Sequence, residues 1–206
     1  MNARRLALAA ALVAGLPTLA AAQGGHPLVG MTYSWSLPMG DTKAFTDNDS
    51  WIGFAFESKW YASDNAAWGI YLGWNEFYHR TEETIDFKGG TIFGTQYRDY
   101  NVFPMLLTGT LYTGELDAPK RLYFSLGAGA YYTHQTFDLG LSTVSENVWQ
   151  FGVSPEIGLQ MNTFRGSTVQ LSARYHYTTE SDAYLQKDPQ SQQYLSVGLG
   201  FFSKVF

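Results

Sequence analysis

The chain has 206 residues, of which 15% are charged, with a net charge of −5 and no cysteine. That excludes a disulfide framework, thiolate chemistry and acylation of a lipoprotein cysteine, and a mildly acidic, charge-poor chain is a poor nucleic-acid binder. Aromatic residues at 17% and 21 glycines are both high for a soluble domain and suit a strand-built membrane protein.

Residues 1–22 read as a secretory signal peptide: Arg4 and Arg5 are basic, residues 6–16 are apolar, and Ala20, Ala21 and Ala22 offer a small-residue cleavage site before Gln23. Residues 23–206 are then expected to form one domain. No apolar run in them reaches the roughly 18 residues that a helical span needs.

Strict alternation takes over from there. In residues 29–37, Val29, Met31, Tyr33, Trp35 and Leu37 alternate with small polar residues, and Pro38 ends the first strand. A polar loop to Ser50 leads to a second strand, 51–60, with Ile52, Phe54, Phe56 and Trp60 opposite Gly53, Ala55, Glu57 and Lys59. The turn Ser63-Asp64-Asn65 leads to a third, 68–78, with Trp68, Ile70, Leu72 and Trp74 opposite Gly69, Tyr71, Gly73 and Asn75. Residues 79–97 are polar and read as a long loop. The fourth strand, 98–111, has ambiguous facing because residues 102–107 are continuously apolar. Pro104, which cannot donate to a ladder, suggests a bulge there, as Pro155 does in the sixth strand.

The fifth strand, 122–132, alternates again, with Gly127 and Gly129 on the polar side, and a loop runs to Asn147. The clearest hairpin covers 148–177. Trp149, Phe151, Val153, Ile157 and Leu159 stand on one face of its first arm, and Val169, Leu171, Ala173, Tyr175 and Tyr177 on one face of its second. Residues 178–192 form a last loop, and an eighth strand runs from Gln193 to the end. Short turns alternating with long loops predict an all-β fold: an eight-stranded antiparallel up-and-down transmembrane β-barrel.

The polar face is mostly Gly, Ser, Thr and Gln. A solvated surface would carry many more charges, so this face is expected inside and the apolar face against lipid, the reverse of a soluble ligand-binding calyx. Trp35, Trp51, Trp74, Tyr78, Tyr132, Trp149 and Tyr177 at the loop ends, with Trp60, Trp68, Tyr112 and Phe206 at the turn ends, predict two aromatic belts.

With these features the chain resembles the small outer-membrane β-barrel proteins that include OmpX, OmpW and the OmpA transmembrane domain. The resemblance rests on the signal peptide, the eight alternating strands, the inner glycines around Gly127 and Gly129, and a closing strand ending in Phe206. Residues 38–43 (Pro-Met-Gly-Asp-Thr-Lys) are also similar to first loops of porin-family barrels. The resemblance implies a monomer in the bacterial outer membrane, in contact with membrane lipid and lipopolysaccharide. It also implies recognition of the C-terminal strand by the barrel-assembly machinery. A structural or surface-interaction role through the loops is expected, with neither enzymatic activity nor a cofactor; the alternative is a narrow porin-like channel.

Four charges fall on the inward face: Glu57 and Lys59 on the second strand, Glu156 on the sixth and Arg174 on the seventh. Unpaired charge in a narrow lumen is costly, so they are expected to pair, Glu156 with Arg174 if the register allows, either as a packing plug or as a channel gate. His176, Thr178 and Glu180 lie where some eight-stranded lipid A deacylases carry His and Ser. Thr178 stands in place of the Ser and His176 shares the inward parity of Arg174, which counts against a lipid A-modifying enzyme. Asp41, Asp47 and Asp49 lack ordered ligand spacing, and the four histidines are scattered, so a solvated loop and no metal site are expected.

Overall fold

A computed structural model describes residues 27–87, 90–139, 142–163, 166–181 and 190–204. The signal peptide and Phe206 lie outside the described residues. Eight strands close into one antiparallel barrel in sequence order: β1 (Leu28–Met39), β2 (Ile52–Ser63), β3 (Ala66–Phe87), β4 (Gly90–Tyr112), β5 (Lys120–Leu139), β6 (Ser142–Asn162), β7 (Ser167–Thr178) and β8 (Gln193–Lys204). β1 pairs with β8 from Leu28↔Lys204 to Met39↔Gln193, which closes the ring. Closure gives every strand two neighbours, which is what lets bare backbone cross hydrocarbon.

The faces follow the alternation. Met31, Phe56, Leu122, Phe151, Ile157 and Phe201 point outward and are among the most exposed large hydrophobics. Their neighbours Thr32, Glu57, Tyr123, Gln150, Glu156 and Phe202 are buried inside. The outward rings pack into a girdle near the loop rim: Trp74 and Phe103 (6.5 Å between ring centres), Phe103 and Tyr132 (5.9 Å), Tyr132 and Trp149 (5.0 Å). Near the turn rim, the directly paired Trp60 and Trp68 stack at 4.4 Å.

Several expectations are corrected. First, residues 79–97 are not a loop: β3 and β4 stay paired from Arg80↔Tyr97 to Phe87↔Gly90. The β5–β6 hairpin likewise continues to Leu139↔Ser142. Neighbouring β3 to β6 have 20–23 residues each, against 12 for β1, β2, β7 and β8. The barrel therefore has a tall wall and a low wall. Second, residues 40–45 of the first loop form a one-turn helix, α1 (Gly40–Phe45), entered through Gly40 at φ 51°, a conformation that favours glycine. Third, Tyr112 is not a belt residue. Even positions of β4 face inward (Val102, Leu106, Thr108, Thr110), which carries Tyr112 inside.

Neither proline makes a bulge. Opposite Pro104, the β3–β4 ladder skips Gly73 and Trp74 but keeps one register on both sides, Leu72↔Met105 and Asn75↔Val102. The β6–β7 ladder does the same beside Pro155, between Val153↔Tyr177 and Glu156↔Arg174. On their other sides both prolines pair without interruption, Pro104 with Tyr131 and Pro155 with Leu126. A missing N–H thus opens one ladder locally and leaves the register intact.

The inner glycines make room for rings. A Cβ on Gly158 would collide with the Tyr123 ring, one on Gly152 would lie 2.7 Å from the Tyr131 ring, and one on Gly200 2.6 Å from the Phe202 ring. Gly129 is closed in differently: a Cβ there would collide with the Met105 carbonyl oxygen and sit 3.0 Å from Leu106 Cα. Gly109, by contrast, faces out, and a Cβ there meets nothing within 4 Å. Gly129→Leu should therefore lower barrel stability by about 1–3 kcal/mol, while Gly109→Ala stays within about 0.5 kcal/mol of wild type. Urea titration followed by the heat-dependent gel shift of the folded barrel measures both.

Candidate functional site

The four inward charges meet in the middle of the lumen, each at most 3% exposed. β6 and β7 set Glu156 directly opposite Arg174, and Arg174 Nη2 lies 2.5 Å from Glu156 Oε2. The same Nη2 is 3.6 Å from Glu57 Oε2, contributed across the barrel by β2. Glu57 Oε2 is also 3.4 Å from Lys59 Nζ, two residues along the same strand and so on the same face. Two carboxylates and two cations form one chain with zero net charge.

The polar atoms around the chain complete it. Thr32 donates to Glu57 (3.0 Å), Tyr123 donates to Glu156 (3.0 Å), and Lys59 donates to Gln170 (2.8 Å). The Arg174 guanidinium lies 4.1 Å from the centre of the Tyr71 ring, and Lys59 lies 4.9 Å from that of Tyr123. Cation–ring contacts supply favourable charge interactions in this buried setting.

Sequence parity placed His176 inside but not the layer it belongs to. On the loop side of the charges, His176 stacks on Tyr194 at 4.2 Å and its Nδ1 is hydrogen-bonded to the Tyr131 hydroxyl at 3.0 Å. Phe77 packs edge-on against Tyr194 at 5.5 Å, and Ser36 donates to Asn75 at 2.9 Å. On the turn side, the Arg121 guanidinium sits 4.2 Å from the Tyr112 ring and donates to the Tyr61 hydroxyl and the Asp64 carbonyl. The signal for both layers was inward parity in large residues. What parity lacked was the relative height of strands far apart in sequence.

The space left at the charge cluster is a cavity of about 10 Å³ bordered by Ser172, Arg174 and Ser196, room for about one water. Arg174 Nη1 and His176 Nε2 have no hydrogen-bond partner among the described residues. Such a cavity offers Arg174 a water but is too small for a solute path.

The remaining candidates are drawn apart. Asp41 accepts hydrogen bonds from Ser191 N and Oγ, both at 3.0 Å. Asp47 pairs with His79 at 2.7 Å, and Asp49 is exposed. Among the described residues no group of three or more His, Asp or Glu could hold a metal ion. Thr178 is buried and accepts from Gln192 N at 2.7 Å, so it serves as a tie of the last loop. His176 and Thr178 both face the lumen, away from the outward apolar surface.

These features define an eight-stranded transmembrane barrel with a plugged lumen. Its fold is that of small outer-membrane barrels. Neisserial surface protein A (NspA) superposes with a TM-score of 0.55 at 9% identity, covering 89% of this chain and 98% of that one. OprG, an outer membrane protein from Pseudomonas aeruginosa, superposes with a TM-score of 0.50 at 14% identity, covering 88% of this chain and 97% of that one. No family model matches the chain, and no curated protein is similar to it in sequence.

Arg174→Gln should cost about 3–5 kcal/mol of barrel stability, because it leaves two buried carboxylates to Lys59 alone. Removing Glu156 as well restores neutrality between Glu57 and Lys59. The double variant Glu156→Gln/Arg174→Gln should therefore be more stable than Arg174→Gln. Urea titration of the refolded barrels would show the order.

Proposed function

We propose that the chain is a monomeric, non-conducting barrel of the bacterial outer membrane, without enzymatic activity, that acts at the cell surface through its loop rim. The observation that carries this reading is the tall wall. Past the aromatic girdle at Trp74, β3 runs on to Phe87 as paired strand, roughly 40 Å of extended chain. A hairpin of that length is not needed to close a barrel or span a bilayer; it serves to hold a surface away from the membrane. Its polar composition, including Arg80, Glu82, Glu83 and Asp86, suits water and a protein or glycan partner rather than lipid.

The lumen supports the same reading. A porin-like channel needs a continuous water path, and here ion pairs and stacked rings occupy the middle of the barrel. A lipid-modifying enzyme needs its nucleophile and base presented to lipid, and His176 is buried among tyrosines. In this proposal the outward face meets phospholipid and lipopolysaccharide. The assembly machinery reads the last strand, β8.

Replacement of residues 80–97 and 136–145 by short turns should leave a barrel that still shows the heat-dependent gel shift in the outer-membrane fraction. Binding of cells carrying it to host-matrix proteins or glycans should fall to the level of cells without the protein. Planar bilayers containing the wild type should show no unitary conductance. Regular conductance steps, with surface binding unchanged by the truncation, would instead establish the channel.

A further inference from the structure

We propose that the outer surface of β4, β5 and β6 near the turn rim carries a binding site for one anionic glycerophospholipid, its acyl chain in an apolar groove and its phosphate against Lys120. The inference rests on the lipid-facing surface of the barrel and is independent of any role of the loop rim.

The groove has a volume of about 280 Å³, and the outward side chains of Leu111, Leu122, Phe124 and Ile157 form its walls. Cross-strand pairing puts them side by side: Leu111 faces Phe124, and Phe124 faces Ile157. Two residues further from the rim on β4, Gly109 interrupts the outward row. A Cβ there would meet nothing within 4 Å, so the surface is open beside the groove as well, outside the groove's own lining. A recess walled by branched and aromatic side chains on a face that meets hydrocarbon fits a methylene chain lying along the barrel wall. It does not fit a polar solute.

The rim end of the groove supplies a charge. Lys120 has the outward parity of Leu122 and Phe124, lies two residues nearer the turn and is exposed, about 7 Å of strand beyond the apolar wall. It makes no ion pair among the described residues. The adjacent cation, Arg121, turns inward onto Tyr112 and is occupied there. Of the two carboxylates in the same turn, Asp117 lines the cavity at the barrel mouth rather than the groove, and Glu115 is exposed. Thr113 borders the groove, but its hydroxyl is bonded to the Leu122 carbonyl oxygen at 3.2 Å. An unpaired ammonium at headgroup level directly below an apolar recess is complementary to a lipid phosphate whose chain enters the recess, and a net anionic headgroup leaves that attraction uncancelled.

Native mass spectrometry of the detergent-solubilised full chain, titrated with phosphatidylglycerol or with phosphatidylcholine, tests the site. The wild type should retain one phosphatidylglycerol in preference to phosphatidylcholine. Lys120→Gln should lower the phosphatidylglycerol affinity about fivefold and abolish the headgroup preference. Leu111→Ala, which removes one wall of the groove, should weaken both lipids while the heat-dependent gel shift persists. Equal retention of the two lipids by the wild type, or retention unchanged in both variants, would overturn the proposal. A wild-type chain with no gel shift and no uptake into vesicles would instead overturn the membrane barrel itself.

Discussion

Everything inside this barrel answers to one constraint: eight strands enclose a space too narrow to hydrate a charge. A carboxylate or a guanidinium placed there must find its counter-ion in the wall opposite or not ionise at all. Arg174 meets that demand from two strands at once, with Glu156 on its neighbour and Glu57 across the lumen. Lys59 then balances Glu57 from the same face of β2. Because the chain of charges ties β2 to β6 and β7, it fixes the relative height of strands that share no ladder. A hydrophobic filling could occupy the same volume, but it would not discriminate one strand height from another, since apolar contacts are non-directional.

The aromatic layers depend on the same narrowness. An aromatic ring can lie against the inner wall where the neighbouring residue has no side chain, and glycine provides that for Tyr131 at 152, Tyr123 at 158 and Phe202 at 200. Tyr123 shows the coupling. Its ring lies over Gly158, its hydroxyl donates to Glu156, and its face receives Lys59. The high glycine and high aromatic contents, which first separated this composition from that of soluble domains, are two halves of one packing solution.

Alternation made the membrane-spanning part legible, because each residue there has two unlike neighbours, lipid and lumen. The facing of seven strands and the Glu156–Arg174 pair followed from it. Legibility ended where the contrast ended. In residues 79–97 the sequence keeps no apolar–polar period, so a polar hairpin reads as a loop. β4 was obscured for another reason: Val102, Pro104 and Leu106 are apolar residues on the lumen face, so the pattern that betrays a strand was filled in. Tyr112 was misplaced with it. The prolines suggested bulges because sequence shows only that a donor is lost, whereas the ladder shows that one skipped segment absorbs the loss. α1 was invisible because its place depends on residues about 150 positions away: Asp41 accepts from Ser191, and Thr42 both donates to Gln192 and accepts from Gln193 N.

That clamp and the tall wall make the two sides of the loop rim unlike. On the low side, Asp41 and Thr42 of α1 bond to Ser191 and Gln193 and tie the chain after β1 to the start of β8. On the high side, β3 to β6 leave the barrel as a free-standing sheet. A filled lumen gives a partner nowhere to enter, and the clamped side spends its hydrogen-bonding groups on itself. In the proposed reading, what remains for recognition is the outer surface: the raised sheet and the grooved wall. In this molecule the interior is committed to holding the shape, so variation in function has to be written on the two faces that the interior does not reach.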